Sequence, residues 1–381
     1  MQHAYLTEEH AIFRRSVRRF LEKEAVPYYD QWEADRMVPR SFWEKFGAQG
    51  FLAPAIPEEY GGSGADFSYS VVIDEELERV GSGLTGISLH SDIVVPYLLQ
   101  YGTEEQKQTW LPGCASGAIV TAIAMTEPGA GSDLAGVLTT AIRDGDEYVV
   151  HGQKTFITNG IQADLVLVVC KTDPSANPPH KGMSLLWVER GMEGFSRGRQ
   201  LEKVGQHCQD TAELLFDQCR VPVGHLLGRE GEGFSYLSQK LQQERLVVAI
   251  AGQVTAEEVL KDTIAYVKSR TAFGQPLSRF QHTRFTLAEL ATKVRVSRTF
   301  LDHLITRHLA DEEIVEDVSM AKWFLTDMAK EVVNTCLQLH GGYGYMEDYK
   351  VARRYRDVAV MSIYAGTNEI MKTIIAKHMG L

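Results

Sequence analysis

At 381 residues, 44% hydrophobic and 23% charged, the chain has an ordinary globular composition, with enough apolar mass for a substantial core and a length that favours two or three domains over one. Its 50 acidic residues against 39 basic ones give a net charge of −11, which argues against broad attraction to nucleic acid or anionic membrane and leaves room only for local basic pockets. Cys114, Cys170, Cys208, Cys219 and Cys336 are odd in number and contain no CxxC pair, so they fit neither a disulfide framework nor a zinc site and point to a reducing compartment.

The N-terminus, Met1-Gln2-His3-Ala4-Tyr5-Leu6, reaches a charged amphipathic segment without an apolar signal core, and no run of about 18 apolar residues follows. A cytoplasmic protein, or a mature form trimmed of its leader, is expected, with neither membrane nor nucleic acid as partner. From Thr7, a candidate cap, Ile12, Phe13, Val17, Phe20 and Leu21 recur at helical spacing until Pro27. Further helices are predicted over 40–49, 69–80, 85–101 and 103–111, around the Gly/Pro-rich loop 53–62.

The period then shortens. Runs at 120–125, 136–143, 147–151, 154–158, 165–171, 183–188 and 213–221 are β-rich and punctuated by Gly, Asn and Asp. With no helix between them they predict a compact β-domain, not a parallel sheet with crossover helices. After Gly228-Arg229-Glu230-Gly231 the helical period returns, with long candidates at 234–269, 280–309 and 313–340 and a shorter helix after Thr367. The expected class is therefore α+β and multidomain: an α-helical N-terminal domain (1–117), a barrel- or sandwich-like β-domain (118–230) and a C-terminal four-helix bundle (231–381).

Several stretches carry candidate chemistry. Thr126-Glu127-Pro128-Gly129-Ala130-Gly131-Ser132-Asp133 has glycines that admit a ligand and hydroxyls that can bond it, but it lacks the third glycine of a dinucleotide fingerprint and is followed by β-runs, so taken alone it reads as a turn. Phe156 alone reads as a core phenylalanine, and Arg270 as a solvated charge ending a helix. His90, His151, His207 and His340 have no metal-ligand spacing, and no metal site is expected.

Together, in order, these segments are similar to the acyl-CoA dehydrogenase family. The likeness runs through Ile56-Pro57-Glu58-Glu59-Tyr60-Gly61-Gly62, the 126–133 loop, Asn159-Gly160, Arg270-Thr271-Ala272-Phe273-Gly274, Leu339-His340-Gly341-Gly342-Tyr343-Gly344 and Tyr364-Ala365-Gly366-Thr367-Asn368-Glu369. The resemblance implies FAD, with Met125, Thr126, Phe156 and Thr158 against the flavin ring. It also implies Arg270, Phe273, Gln281, Gln338 and Gly342 at the pyrophosphate and adenine end, partly across a subunit boundary, with Thr367 and Glu369 as further cofactor contacts. Arg suits that work through its bidentate fork. A shared cofactor implies an oligomer, by family a homotetramer built as a dimer of dimers.

The family reaction takes a proton from the carbon α to a thioester and a hydride from the β carbon. It needs a buried carboxylate of raised pKa. A glutamate often follows the tyrosine of the C-terminal motif, and here that position is Ala365, whose backbone N–H can still donate to the thioester carbonyl. Isovaleryl-CoA and long-chain members carry the base upstream, in a motif that resembles Gln243-Glu244-Arg245-Leu246. Most Glu-Arg pairs on helices are exposed, but the apolar run 246–251 predicts a buried helix, so a glutamate at its edge should face a cavity or a partner.

By resemblance, Glu244 is the base, Arg245 assists substrate binding, Ser132 lies near the thioester and Tyr364 packs over the acyl group. The expected activity is FAD-dependent dehydrogenation of a saturated acyl-CoA to trans-2-enoyl-CoA, on medium or long chains, with electrons passed to an electron-transfer flavoprotein and a place in fatty acid β-oxidation. Isovaleryl or other branched short acyl groups are the alternative. Two other readings compete: an oxidase or flavin monooxygenase of the same fold, and a base-less flavoprotein with a binding role, such as the DNA-protecting relatives, whose basic C-terminal extension is absent here.

Overall fold

The structure is a computed structural model that describes residues 5–381, so the reading of Met1-Gln2-His3-Ala4 lies outside it. The first helix, α1 (Glu8–Glu24), begins at Thr7, where His10 Nδ1 lies 3.1 Å from the Thr7 amide and 2.8 Å from its hydroxyl. It is followed by α2 (Tyr29–Asp35), α3 (Arg40–Gly47), α4 (Phe67–Val80), α5 (Thr85–Ser88), α6 (Val95–Tyr101) and α7 (Glu104–Ser116). The stretch read as one helix over 85–101 is interrupted by a π-helical segment, Leu89–Val94, a local widening that often accompanies functional sites.

Strands β1 (Thr121–Ala124), β2 (Thr140–Asp144), β3 (Glu147–Thr158), β4 (Leu165–Lys171), β5 (Met183–Glu189), β6 (Phe195–Gln200) and β7 (Thr211–Pro222) form one mixed sheet in the order β1-β4-β2-β3-β7-β6, with β5 on β4. The runs predicted at 147–151 and 154–158 are a single twelve-residue strand, kept continuous across two register shifts by its pairing with β7. The run at 136–143 starts later, at Thr140, because Leu134–Gly136 is a 3-10 turn. Strand β6, whose sequence FSRGRQ hides any alternation, was missed.

Helix α8 (Gly233–Ser269) leads through a two-residue hairpin, β8 (Thr271–Ala272) and β9 (Gln275–Pro276), to α9 (Gln281–Leu309) and α10 (Val315–His340). Two short helices close the chain, α11 (Lys350–Asp357), which was not predicted, and α12 (Asn368–His378), capped by the Thr367 hydroxyl on Ile370 N at 3.3 Å. Helices α8, α9, α10 and α12 make the bundle, with Leu246, Val254, Leu301, Leu325 and Val332 buried in its core.

A second core joins the parts. Tyr97, Leu98 and Trp110 from α6 and α7 pack with Leu167, Trp187 and Leu237, so the N-terminal helices, the sheet and the start of α8 share one apolar contact region. Helix α4 is buried although it carries Asp74, Glu75, Glu76 and Glu78, and arginines from several elements meet its three glutamates. Arg14 Nη2 and Arg298 Nη1 each lie 2.6 Å from Glu75, and Arg354 of α11 pairs with Glu78. All five cysteines are buried free thiols.

Candidate active site

The chemistry of the site starts on α8. Leu246 to Ile250 are buried without a break, so this stretch of helix meets protein on every side, and Glu244 and Arg245 are each only 4% exposed. The Glu244 carboxyl therefore has its pKa pushed up to about 7 by burial, with the Tyr97 hydrogen bond, Arg245 and Lys240 each holding it lower than burial alone would. Tyr97 Oη donates to Glu244 Oε1 at 2.7 Å. Arg245 points the other way, toward α10, where Nη1 lies 3.4 Å from Ser319 Oγ and Nε is buried without a partner.

A raised carboxyl pKa has a stability signature. Below about pH 4.5 Glu244 is protonated in both the folded and unfolded chain; between about 4.5 and 7 the unfolded chain gives up the proton that the fold keeps, so stability is lost across that window and stays lost above 7. Glu244→Gln is expected to melt above the wild type at pH 8, by up to about 3 kcal/mol, with the gap closing toward pH 5. Paired thermal melts across that range check it, and a gap independent of pH would contradict it.

The turn at 364–367 lies between the 3-10 segment Val358–Ser362 and α12. Ala365 and Gly366 both adopt positive φ, 52° and 86°, the left-handed backbone of a tight turn. Among the described residues neither amide donates to a protein acceptor, so both remain available to a ligand. Lys322, 0% exposed on α10, holds the turn by donating to Gly366 O at 2.7 Å and Asn368 Oδ1 at 3.0 Å. Burial, and next the nearby Arg245 charge, push its pKa down to about 8. Tyr364 is half-buried, and burial raises its hydroxyl pKa.

A second face is built on the sheet. Thr155 N donates to Thr126 O at 2.9 Å, which sets the 125–126 segment beside the bulge of β3. At that bulge Phe156 takes φ 59° and its ring stands 67% exposed, the opposite of the core phenylalanine its strand position suggests. The hydroxyls of Thr126 and Thr158 make no hydrogen bond within the described residues. Behind this face Lys154, 0% exposed, bonds Met125 O at 3.0 Å and Glu127 Oε1 at 2.8 Å. Glu127 also accepts from Leu138 N at 2.6 Å and Thr139 N at 2.9 Å, so one buried ion pair pins the whole 126–139 loop. Ser132 lies on the exposed part of that loop.

Asn159, with φ 61°, bonds Gly86 O and Thr121 O at 2.9 and 3.1 Å and ties this face to the N-terminal helices. A Cβ on Gly86 would stand 2.3 Å from Asn159 Oδ1, so only glycine fits there. A third face is a groove of about 450 Å³ that gathers Arg270, Gln338 and Gly342 with Tyr266 and Tyr343. Arg270 is exposed, has no carboxylate partner among the described residues, and its guanidinium lies 5.3 Å from the centre of the Tyr343 ring. Phe273, 95% exposed, and Gln281, first residue of α9, sit outside this groove, which shares no lining residue with the Met125–Thr158 face. Glu369 is exposed in the first turn of α12.

Taken together, the donors suit a flat ring system against Phe156 and a diphosphate at Arg270: an exposed aromatic wall, two unsatisfied hydroxyls and an unpaired guanidinium fork. His90, His151, His207 and His340 have protein partners. His90 bridges Thr121 and Cys114 O, and His340 Nδ1 lies 2.8 Å from Cys336 O. Among the described residues no cluster of three potential metal ligands occurs. Sequence reasoning missed Tyr97, Lys322, Lys154 and Glu127. Lys322 had left a signal, standing among Val318, Ala321 and Leu325 on an otherwise apolar helix face.

Three family models cover nearly the whole chain: "Acyl-CoA dehydrogenase, N-terminal domain" over residues 7–118, "middle domain" over 122–219 and "C-terminal domain" over 231–380. The chain is 45% identical over 373 residues to the mitochondrial long-chain specific acyl-CoA dehydrogenase of Rattus norvegicus, covering 98% of this chain and 87% of that one. Among solved structures, an acyl-CoA dehydrogenase from Geobacillus kaustophilus superposes with a TM-score of 0.99 at 63% identity over 100% of both chains. A glutaryl-CoA dehydrogenase from Mycobacterium smegmatis in complex with FADH2 superposes at 0.91 and 28% identity, covering 98% of this chain and 95% of that one.

Proposed function

The chain belongs to the acyl-CoA dehydrogenase family, and from that premise we propose that it dehydrogenates medium- to long-chain saturated acyl-CoA thioesters to trans-2-enoyl-CoA, with Glu244 as the base. The observation that carries the reading is the buried Glu244, its pKa near neutrality, in a chain that has alanine at 365. FAD is the cofactor, and when bound it takes the hydride that leaves the β carbon.

The chain's own residues supply the rest. Glu244 removes the α proton, for which a carboxyl titrating near 7 balances ionised fraction against basicity. The free Ala365 N–H meets the thioester oxygen as negative charge grows there, on a turn that Lys322 keeps in place. Met125, Thr126, Phe156 and Thr158 form the wall for the flavin ring, and Thr367 and Glu369 are further contacts of the cofactor. Arg245, Ser132 and Tyr364 serve the substrate. Arg270, Phe273, Gln281, Gln338 and Gly342 hold the pyrophosphate and adenine of a cofactor shared between copies, which the separate, exposed Arg270 groove supports and which makes a homotetramer, a dimer of dimers, part of the proposal.

The chain-length preference is supported by the 45% identity to a long-chain relative. An electron-transfer flavoprotein as acceptor and a cytoplasmic location complete the proposal. No helix among the described residues is long and apolar enough to cross a membrane. Anaerobic mixing of the flavin-loaded protein with butyryl-, octanoyl-, palmitoyl- and isovaleryl-CoA tests the reading. Bleaching is expected to be fastest with the octanoyl and palmitoyl thioesters. Fastest bleaching by isovaleryl-CoA overturns the chain-length assignment, and rapid reoxidation by air would place the protein with oxidases.

A further inference from the structure

Tyr97 lies on α6 with 0% of its surface exposed, and the acceptor of its hydroxyl is Glu244 Oε1, 147 positions later in the chain. Among the described residues nothing else hydrogen-bonds that carboxylate, so Oε2 has no donor. The terminal torsion of a glutamate is soft, and a bond to one oxygen is what stops the group from rotating. A buried tyrosine needs some acceptor, and a backbone carbonyl would serve a purely structural one. Here the acceptor is a buried carboxylate for which Tyr97 is the sole donor, an arrangement that orders the acid more than the phenol.

We propose that Tyr97 is a positioning residue for the reaction, holding Oε1 so that Oε2 is the oxygen that receives the α proton, and widening the pH range over which Glu244 is ionised. The inference rests on the reading of Glu244 as base. A hydrogen bond from a phenol favours the charged carboxylate over the neutral acid, so its loss makes the base harder to ionise. The surrounding charges come from several elements. Lys240 and Arg245 lie on the same helix, Tyr101 stands behind Tyr97 on α6, and Lys322 on α10 lies beyond Arg245. His308 of α9 and Asp92 of the π-helical segment meet the neighbouring Gln243, at 3.3 Å and, through the Asp92 carbonyl, 2.7 Å. None of them replaces the Tyr97 bond.

The test is the rate of anaerobic flavin reduction by octanoyl-CoA, followed between about pH 6 and 9 in wild type, Tyr97→Phe and Tyr101→Phe. Tyr101 belongs to the same aromatic run, stacking on Tyr236 at 4.1 Å, but its hydroxyl bonds Gln239 Oε1. Tyr97→Phe is expected to move the apparent pKa for reduction up by about one pH unit and to slow the reaction about fivefold at pH 7, most of which returns at pH 9. Acyl-CoA affinity should stay within about twofold, and Tyr101→Phe should superimpose on wild type. Replacing Tyr97 by 3-fluorotyrosine, a more acidic donor of nearly the same shape, should move the pKa down, and it supplies the answer if the phenylalanine variant loses its fold.

A Tyr97→Phe profile that superimposes on wild type, or an equal shift in Tyr101→Phe, overturns the proposal. Glu244→Gln run alongside separates the two readings. Fast reduction in that variant removes Glu244 as base, whereas slow reduction there with an unshifted Tyr97→Phe removes only the role of Tyr97.

Discussion

Glu244→Gln is expected to bind a saturated acyl-CoA with near wild-type affinity and to bleach its flavin about 10³-fold more slowly, the usual scale for removing a positioned general base. The expectation follows from three features of the site. The carboxyl is buried and titrates near 7, so at neutral pH a large share is ionised and basic enough to take a proton. Ala365 has no proton-accepting side chain, and the turn it occupies is held by Lys322, a donor with no free lone pair in its charged form. Glutamine keeps the volume and can still accept from Tyr97 Oη, so the pocket is preserved while the base is removed. Ligand-induced changes in the flavin spectrum report binding, and stopped-flow bleaching reports chemistry. Equal bleaching rates in the two proteins would place the base elsewhere.

Lys154→Met is expected to cost about 3–5 kcal/mol of stability and to lower the flavin retained on purification. Removing one partner of a buried ion pair leaves the other as an uncompensated charge, and Lys154 is 0% exposed. Burial raises the pKa of Glu127, but Lys154, helped by hydrogen bonds from Thr139 and Leu138, outweighs it and holds the carboxyl below its ordinary value, so removing the lysine takes away the largest stabilising partner of a buried carboxyl. The damage reaches the site because Lys154 also bonds Met125 O and is followed by Thr155, whose amide bonds Thr126 O. Adding Glu127→Gln to Lys154→Met should recover part of the loss. Chemical denaturation with a flavin-to-protein ratio measures both effects; a single variant as stable as wild type would contradict the account.

What the sequence made legible and what it hid divide along the distance between partners. The switch from helical spacing to short β-runs and back is local, and it placed the three-part architecture correctly. The burial of Glu244 was equally local, since Leu246 to Ala251 allow no solvent-facing side to that part of α8. The donor that meets Glu244 was not legible, because Tyr97 sits in the apolar run Val94-Val95-Pro96-Tyr97-Leu98 and looks like core until the fold closes. Helix α11, KVARRYRD, has little apolar pattern of its own, and it is held by Arg354, which finds Glu78 in a helix 276 positions earlier, and by the burial of Val351 and Ala352. Strand β6 pairs with β7 and is tied down by Arg197 bonds to Gly160 O and Ala163 O, while its Ser, Arg and Gly carry little β preference. Phe156 shows the opposite error, since its strand position predicts burial and a bulge with positive φ turns the ring outward.

The central claim, that this chain removes α and β hydrogens from an acyl-CoA with Glu244 as the base, is tested most directly by anaerobic mixing with one equivalent of octanoyl-CoA and identification of the product. Wild type is expected to yield one trans-2-enoyl-CoA per flavin bleached, and Glu244→Gln almost none in the same time. Bleaching of the wild type without enoyl-CoA, or equal enoyl-CoA formation by the two proteins, would contradict it.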